Sequence, residues 1–123
     1  MSGIKLNQIF LLHSVKFVCE ALGVHAKNSD VSIYTLDGPT NLSFFIEDMK
    51  PQVVLIREED LGDQLDAFLA EFKDHPKILK VLWSKSDDSE MGRSFDAVLS
   101  EPISPRTIFS ELEGLLESYV KSH

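Results

Sequence analysis

The sequence predicts an α/β fold: a doubly wound, five-stranded parallel sheet, strand order 2-1-3-4-5, with a shortened or missing fourth helix. Three observations predict it. Apolar runs of strand length alternate with stretches of helical periodicity along the 123 residues, the pattern of βα units joined by right-handed crossovers. Two runs, QIFLL (residues 8–12) after its first residue and VVLI (residues 53–56), are continuously apolar, as expected of central strands covered on both faces. The stretch VSIYTL (residues 31–36) alternates instead, which suits an edge strand.

Each element has its own signature. After the first strand, Ser14 is placed to cap a helix. Val15, Val18, Cys19 and Leu22 form its apolar stripe, and Gly23 marks its end. Asp37-Gly38-Pro39 is a turn after the second strand. The second helix carries Leu42, Phe45, Ile46 and Met49; Pro51 stops it and opens the third strand. A single third helix is expected from Leu61, Leu65, Phe68, Leu69 and Phe72, ending at His75-Pro76. The fourth strand runs from about Ile78 to Trp83. Residues 84–94 (SKSDDSEMGRS) contain one large apolar residue, Met91, too few for an amphipathic helix of ordinary length. A short fifth strand lies within FDAVLSEPI (residues 95–103). Ser104 and Pro105 open the last helix, whose stripe is Ile108, Leu112, Leu115, Leu116 and Tyr119. One domain spanning 1–123 accommodates all of this.

Composition narrows the functional classes. The formal net charge of −8 argues against nucleic acid and anionic membrane as partners, since phosphate binding relies on Lys and Arg. It leaves a basic protein partner open. The lone cysteine, Cys19, has no partner for an internal disulfide and fits a reducing cytoplasm. The N-terminal MSGIKLNQ lacks a signal-peptide apolar run, and no stretch reaches membrane-span length. A cytoplasmic location is therefore expected.

Three motifs in order carry a resemblance. KPQVVLIR (residues 50–57) resembles the third-strand K-P-D-L-V-L-L-D of response-regulator receiver (CheY-like) domains. VLWSKSDD (residues 81–88) resembles their fourth-strand segment, and FDAVLSEPIS (residues 95–104) resembles A-D-D-Y-L-T-K-P-F-S. The resemblance spans nearly the whole chain and implies a flavodoxin-like sheet and a role in two-component signalling. It also implies a cis bond before Pro102. The family's site residues do not carry over. Its Mg²⁺-holding acidic pair falls on His13 and Ser14, its phosphoacceptor aspartate on Arg57, and its threonine on Trp83, or on Ser84 with a shift of one residue. Its switch aromatic falls on Val98 and its lysine on Glu101. Neutral imidazole and hydroxyl groups do not supply the hard anionic oxygens that Mg²⁺ requires. A guanidinium is no phosphoryl acceptor. The chain is therefore expected to be a degenerate pseudo-receiver, with no catalysis, cofactor or bound metal.

The charges at the strand ends are exchanged relative to the family, so an Arg57–Glu101 ion pair is expected to neutralise the crevice. The alternative is that Arg57 reaches solvent. Glu58, Glu59, Asp60 and Asp63 read as a solvated run at a helix N-terminus; replacement of the lost phosphoacceptor by Glu59 is disfavoured. His13 is expected to hydrogen-bond locally rather than accept phosphate or sense pH. His25, His75 and His123 have no ligand spacing with Cys19, and Cys19 itself reads as inert core. Trp83 either plugs the former site or stacks on a ligand at this edge. The turn LLHSVKF (residues 11–17) lacks the glycines of a phosphate cradle.

Phe44, Phe109 and Val120 fall off the helical stripes. With the fourth helix thinned, an interaction face is expected on Phe95, Val98, Phe109, Leu112 and Leu116, serving a homodimer or a protein partner. The sequence thus favours a phosphorylation-independent interaction module in bacterial signalling or motility. The alternative is a flavodoxin-like sensor of a small anionic ligand near His13, Arg57 and Trp83. No nucleophile elbow, metal cluster or catalytic carboxylate pair supports a hydrolase or transferase.

Overall fold

The fold is seen in a computed structural model, which describes residues 5–122, with side chains to residue 119. Five parallel strands stand in the order β2-β1-β3-β4-β5: β1 (Gln8–Leu12), β2 (Ser32–Thr35), β3 (Val53–Arg57), β4 (Leu79–Ser84) and β5 (Ala97–Ser100). The predicted order is the observed one. The connections are α1 (Lys16–Asn28), α2 (Ser43–Met49), α3 (Glu58–Leu61) with α4 (Leu65–Glu71), a 3₁₀ turn (Met91–Ser94) and, after β5, α5 (Pro105–Ser122).

Side-chain alternation divides the interior into two layers. On one face of the sheet Ile9, Leu11, Val53, Leu55, Val81 and Trp83 pack under α1 and α5. On the other, Phe10, Val54, Ile56 and Leu82 pack under α2, α3 and α4. Both sides of β3 are therefore buried, which is why VVLI has no polar member.

The helices depart from expectation in three places. Gly23 does not end α1; the helix runs on to Asn28, and a Cβ at Gly23 would meet nothing. Ser14 is not its cap: Val15 takes that position without any side-chain hydrogen bond and is exposed. The third helix is broken in two at Gly62, whose φ of +59° is left-handed. The fourth helix, as expected, is reduced to the 3₁₀ turn. It lies so close to β5 that a Cβ on Gly92 would sit 2.5 Å from Val98 Cγ2. Ser104 does cap α5: its hydroxyl accepts from Thr107 N at 3.2 Å. The Glu101–Pro102 bond is cis. No described helix is long and apolar enough to cross a membrane.

Candidate functional site

The C-terminal ends of β1, β3 and β4 bring His13, Arg57 and Trp83 together. Register pairs Leu12 with Ile56 and Arg57 with Trp83, so the three residues lie side by side along the sheet edge. A cleft of about 520 Å³ opens there, lined by Arg57, Glu59, Trp83, Lys85, Glu90 and Glu101 among others.

The expected Arg57–Glu101 pair does not form. The guanidinium turns to the segment that follows its own strand. Arg57 Nη2 lies 3.1 Å from Glu59 Oε1 and Nη1 lies 3.7 Å from Asp60 Oδ2; Nη1 also donates to Ser14 Oγ at 3.1 Å. The reason is local: β3 runs directly into α3, and one turn brings residues i and i+3 onto one face. Arg57 does not reach solvent freely either, since its side chain is 18% exposed. Glu101 accepts instead from Trp83 Nε1 at 2.7 Å.

The acidic run does open a helix, α3, and Glu59 and Asp63 are exposed as expected, but Glu58 and Asp60 are partly buried and bonded. Asp60 is 16% exposed and accepts from Ser14 N at 2.7 Å. Glu58 accepts from Ser89 Oγ at 2.7 Å. Glu59 is shared with Lys85 Nζ at 3.6 Å. Sequence reasoning missed Asp60, although the Arg57-x-x-Asp60 spacing was the signal that could have found it.

His13 is 5% exposed. Its Nδ1 accepts from Val15 N at 3.2 Å, which leaves the proton of the neutral ring on Nε2. Nε2 has no hydrogen-bond partner. Trp83 meets the ring edge-on, centroids 4.6 Å apart. Burial, and then the Arg57 cation, hold the His13 pKa below 6.5 against the opposing pull of Asp60, Glu101 and Glu59. Trp83 is itself buried. Ser84 is also buried and accepts from Ser86 N at 3.2 Å; by alternation its side chain lies on the other face of the sheet from Trp83. Cys19 is half-buried and packs against the core layer under α1, as its place on the apolar stripe implies. Its thiol donates to His13 O at 3.1 Å, and burial pushes its pKa up, so it stays protonated.

These donors do not fit a hard divalent cation. Mg²⁺ takes several oxygens, carboxylates first. Here Asp60 and Glu59 are engaged by a guanidinium, Glu101 by an indole and Glu58 by the Ser89 hydroxyl, and among the described residues no three His, Cys, Asp or Glu side chains come together as a metal-holding group.

Three residues of the expected interaction face lie inside the protein. Leu112, Leu116 and Phe109 are buried, in the layer between the sheet and α5. Phe109 leaves the stripe to pack edge-on against His25 of α1, centroids 4.8 Å apart. Phe95 and Val98 belong to the opposite layer, packed under the 3₁₀ turn and α4. A face drawn through all five residues would straddle the sheet. Phe44 is exposed, at 72%. The side chain of Val120 and all of His123 lie outside the described residues.

No protein-family model matches the sequence, and no curated protein matches it. Solved structures do match in shape. The CheY-like receiver domain protein of Methanospirillum hungatei JF-1 superposes with a TM-score of 0.78 at 13% identity, covering 97% of this chain and 100% of that one. The pseudo-receiver domain of CikA gives 0.66 at 16% identity, covering 89% and 96%. An orphan response regulator of H. pylori gives 0.72 at 13% identity, covering 89% and 96%. At such identities the likeness concerns the fold, and the chain has the fold of response-regulator receiver domains.

Proposed function

We propose that this chain is a pseudo-receiver: a non-catalytic, phosphorylation-independent interaction module of bacterial signal transduction, acting through contact with a protein partner in a signalling or motility pathway. The observation that carries the reading is the occupied crevice. At the end of β3, where receivers of the resembling family place a phosphorylatable carboxylate, a guanidinium is pinned by Glu59, Asp60 and Ser14. His13, Ser14, Arg57, Trp83, Ser84 and Glu101 are then the remnant of a phosphorylation site. Trp83 is buried at its wall, and Arg57 is neutralised by the Glu59 and Asp60 carboxylates of the same chain. The alternative of a small anionic ligand fits less well, because Glu58, Glu59, Glu90 and Glu101 outnumber Arg57 and Lys85 along the cleft.

Trp83 is the sole tryptophan of the chain and reports on the crevice directly. Titration with beryllofluoride and Mg²⁺ is expected to leave its fluorescence and the melting temperature unchanged. Incubation with acetyl phosphate is expected to add no phosphoryl group by intact mass. A saturable fluorescence change, or a covalent adduct, would sink the reading.

A further inference from the structure

The edge strand β2 carries a surface that the crevice does not use. In a parallel pair alternate residues bond to one neighbour. Ser32 N donates to Asn7 O and Leu36 N to Leu11 O, so Ser32, Tyr34 and Leu36 face β1. Ile33 and Thr35 therefore turn their N–H and C=O groups outward, to the open edge of the sheet. Beside that edge a ladder of rings climbs from the core to the surface. Buried Phe10 meets Tyr34 at 5.7 Å, Tyr34 meets Phe45 at 5.2 Å, and Phe45 meets Phe44 at 5.6 Å. Phe44, the last rung, is 72% exposed. The ladder is held in place: Glu71 accepts from the amides of Asn41 and Leu42 at the entry to α2.

We propose that the open edge of β2, with the Tyr34–Phe45–Phe44 ladder beside it, takes an extended, Lys- and Arg-bearing segment of a protein partner as a sixth strand. Main-chain pairing to Ile33 and Thr35 supplies register, and alternate side chains of the added strand reach the rings. Charge selects the partner. Glu47 and Asp48 flank Phe44, and Asp37 lies in the hollow beside Tyr34 and Phe45. Lys50, the nearest cation in sequence, lines a neighbouring cleft with Glu47, Pro51 and Gln52 and is absent from the hollow around Phe44. A second copy of this chain would bring these carboxylates against themselves, with −8 on each molecule, so like-charge repulsion opposes homotypic pairing. A basic strand meets the same groups as counter-ions, and its cations can lie over Phe44.

The proposal rests on the reading of an interaction module and names its docking site. The test pans a random peptide library on the intact chain and follows the enriched sequences by amide NMR. Alternating apolar and Lys/Arg sequences are expected. They should shift and protect the amides of Ile33 and Thr35, and bind about ten-fold more weakly to Phe44→Ala. The double variant Glu47→Lys, Asp48→Lys, altered only at surface charges, is expected to lose the preference for basic sequences. Four results would overturn the proposal: no enrichment, enrichment of acidic sequences, shifts confined to α1 or β5, or unchanged affinity in Phe44→Ala. If that happens while the crevice stays silent to beryllofluoride, the module reading stands and only its docking site falls. A phosphoryl response with peptide binding intact gives the reverse.

Discussion

Arg57 works as a counter-ion for two carboxylates of unequal burial, and that inequality is measurable. Asp60 is 16% exposed and Glu59 is 50% exposed. Arg57→Met strips both, and Ser14 as well, of their cation. It is expected to cost about 1–3 kcal/mol in chemical denaturation, the range for orphaning a largely buried polar group. Glu59→Gln removes only the wetter partner and should cost less than about 1 kcal/mol. Equal losses would mean that Asp60 contributes little. His13 gives a second residue-scale expectation. Its folded pKa lies below 6.5 because of burial and the Arg57 cation, so the unfolded chain binds the extra proton more readily. Its contribution is fully present above about pH 6.5 and is lost as pH falls below that value. The melting temperature of the protein should therefore fall more steeply on mild acidification than that of His13→Gln; parallel curves would remove His13 as the cause. The positions of these residues at the strand ends were legible in the sequence. The pairing was not. Strand-end reasoning looked across the sheet to Glu101, whereas the nearer acids arrive from the first turn after β3.

Helical periodicity identified the apolar stripes of α2 and α5 but not what each stripe would meet. Leu112 and Leu116 lie on the α5 stripe, and the thinned fourth connection suggests missing cover there. The 3₁₀ turn covers the other side of the sheet, with Met91 packed toward Phe95 and Val98, and leaves the α5 layer intact. Leu112→Ala, at a fully buried position, is accordingly expected to cost about 2–5 kcal/mol. An interface residue would leave folding stability nearly unchanged. The 3₁₀ turn makes its own demand. Gly92→Ala would place a methyl 2.5 Å from Val98 Cγ2. Valine is stiff at χ1, so the turn must lift off β5, at an expected cost of about 1–3 kcal/mol. Pairing it with Val98→Ala should recover part of that loss. Gly92 carried no sequence signal for this, since a close approach between segments is a tertiary fact. Gly62, by contrast, sat in plain view within the third helix, and its left-handed backbone is what splits α3 from α4.

At the scale of the whole molecule, polarity puts β1 and β3 at the centre of the sheet and β2 at an edge, because burial on two faces excludes polar residues from 9–12 and 53–56 while an edge strand tolerates them. The same gradient predicts how the sheet opens. Val53, Val54, Leu55 and Ile56 are all essentially inaccessible, and β3 is hydrogen-bonded on both sides, to β1 and β4. Their amides have no route to solvent short of global unfolding. β2 has one neighbour and only four residues, of which Ser32 and Thr35 are exposed. Native-state hydrogen exchange is therefore expected to separate the strands. The amides of Val54 and Leu55 should report the same free energy as denaturant unfolding. Those of Ile33 and Thr35, which face the open edge without a strand partner, should exchange rapidly with no denaturant dependence. Slow exchange at Ile33 and Thr35 in the free chain would mean that some other group already covers that edge, and the space for an added strand would be gone.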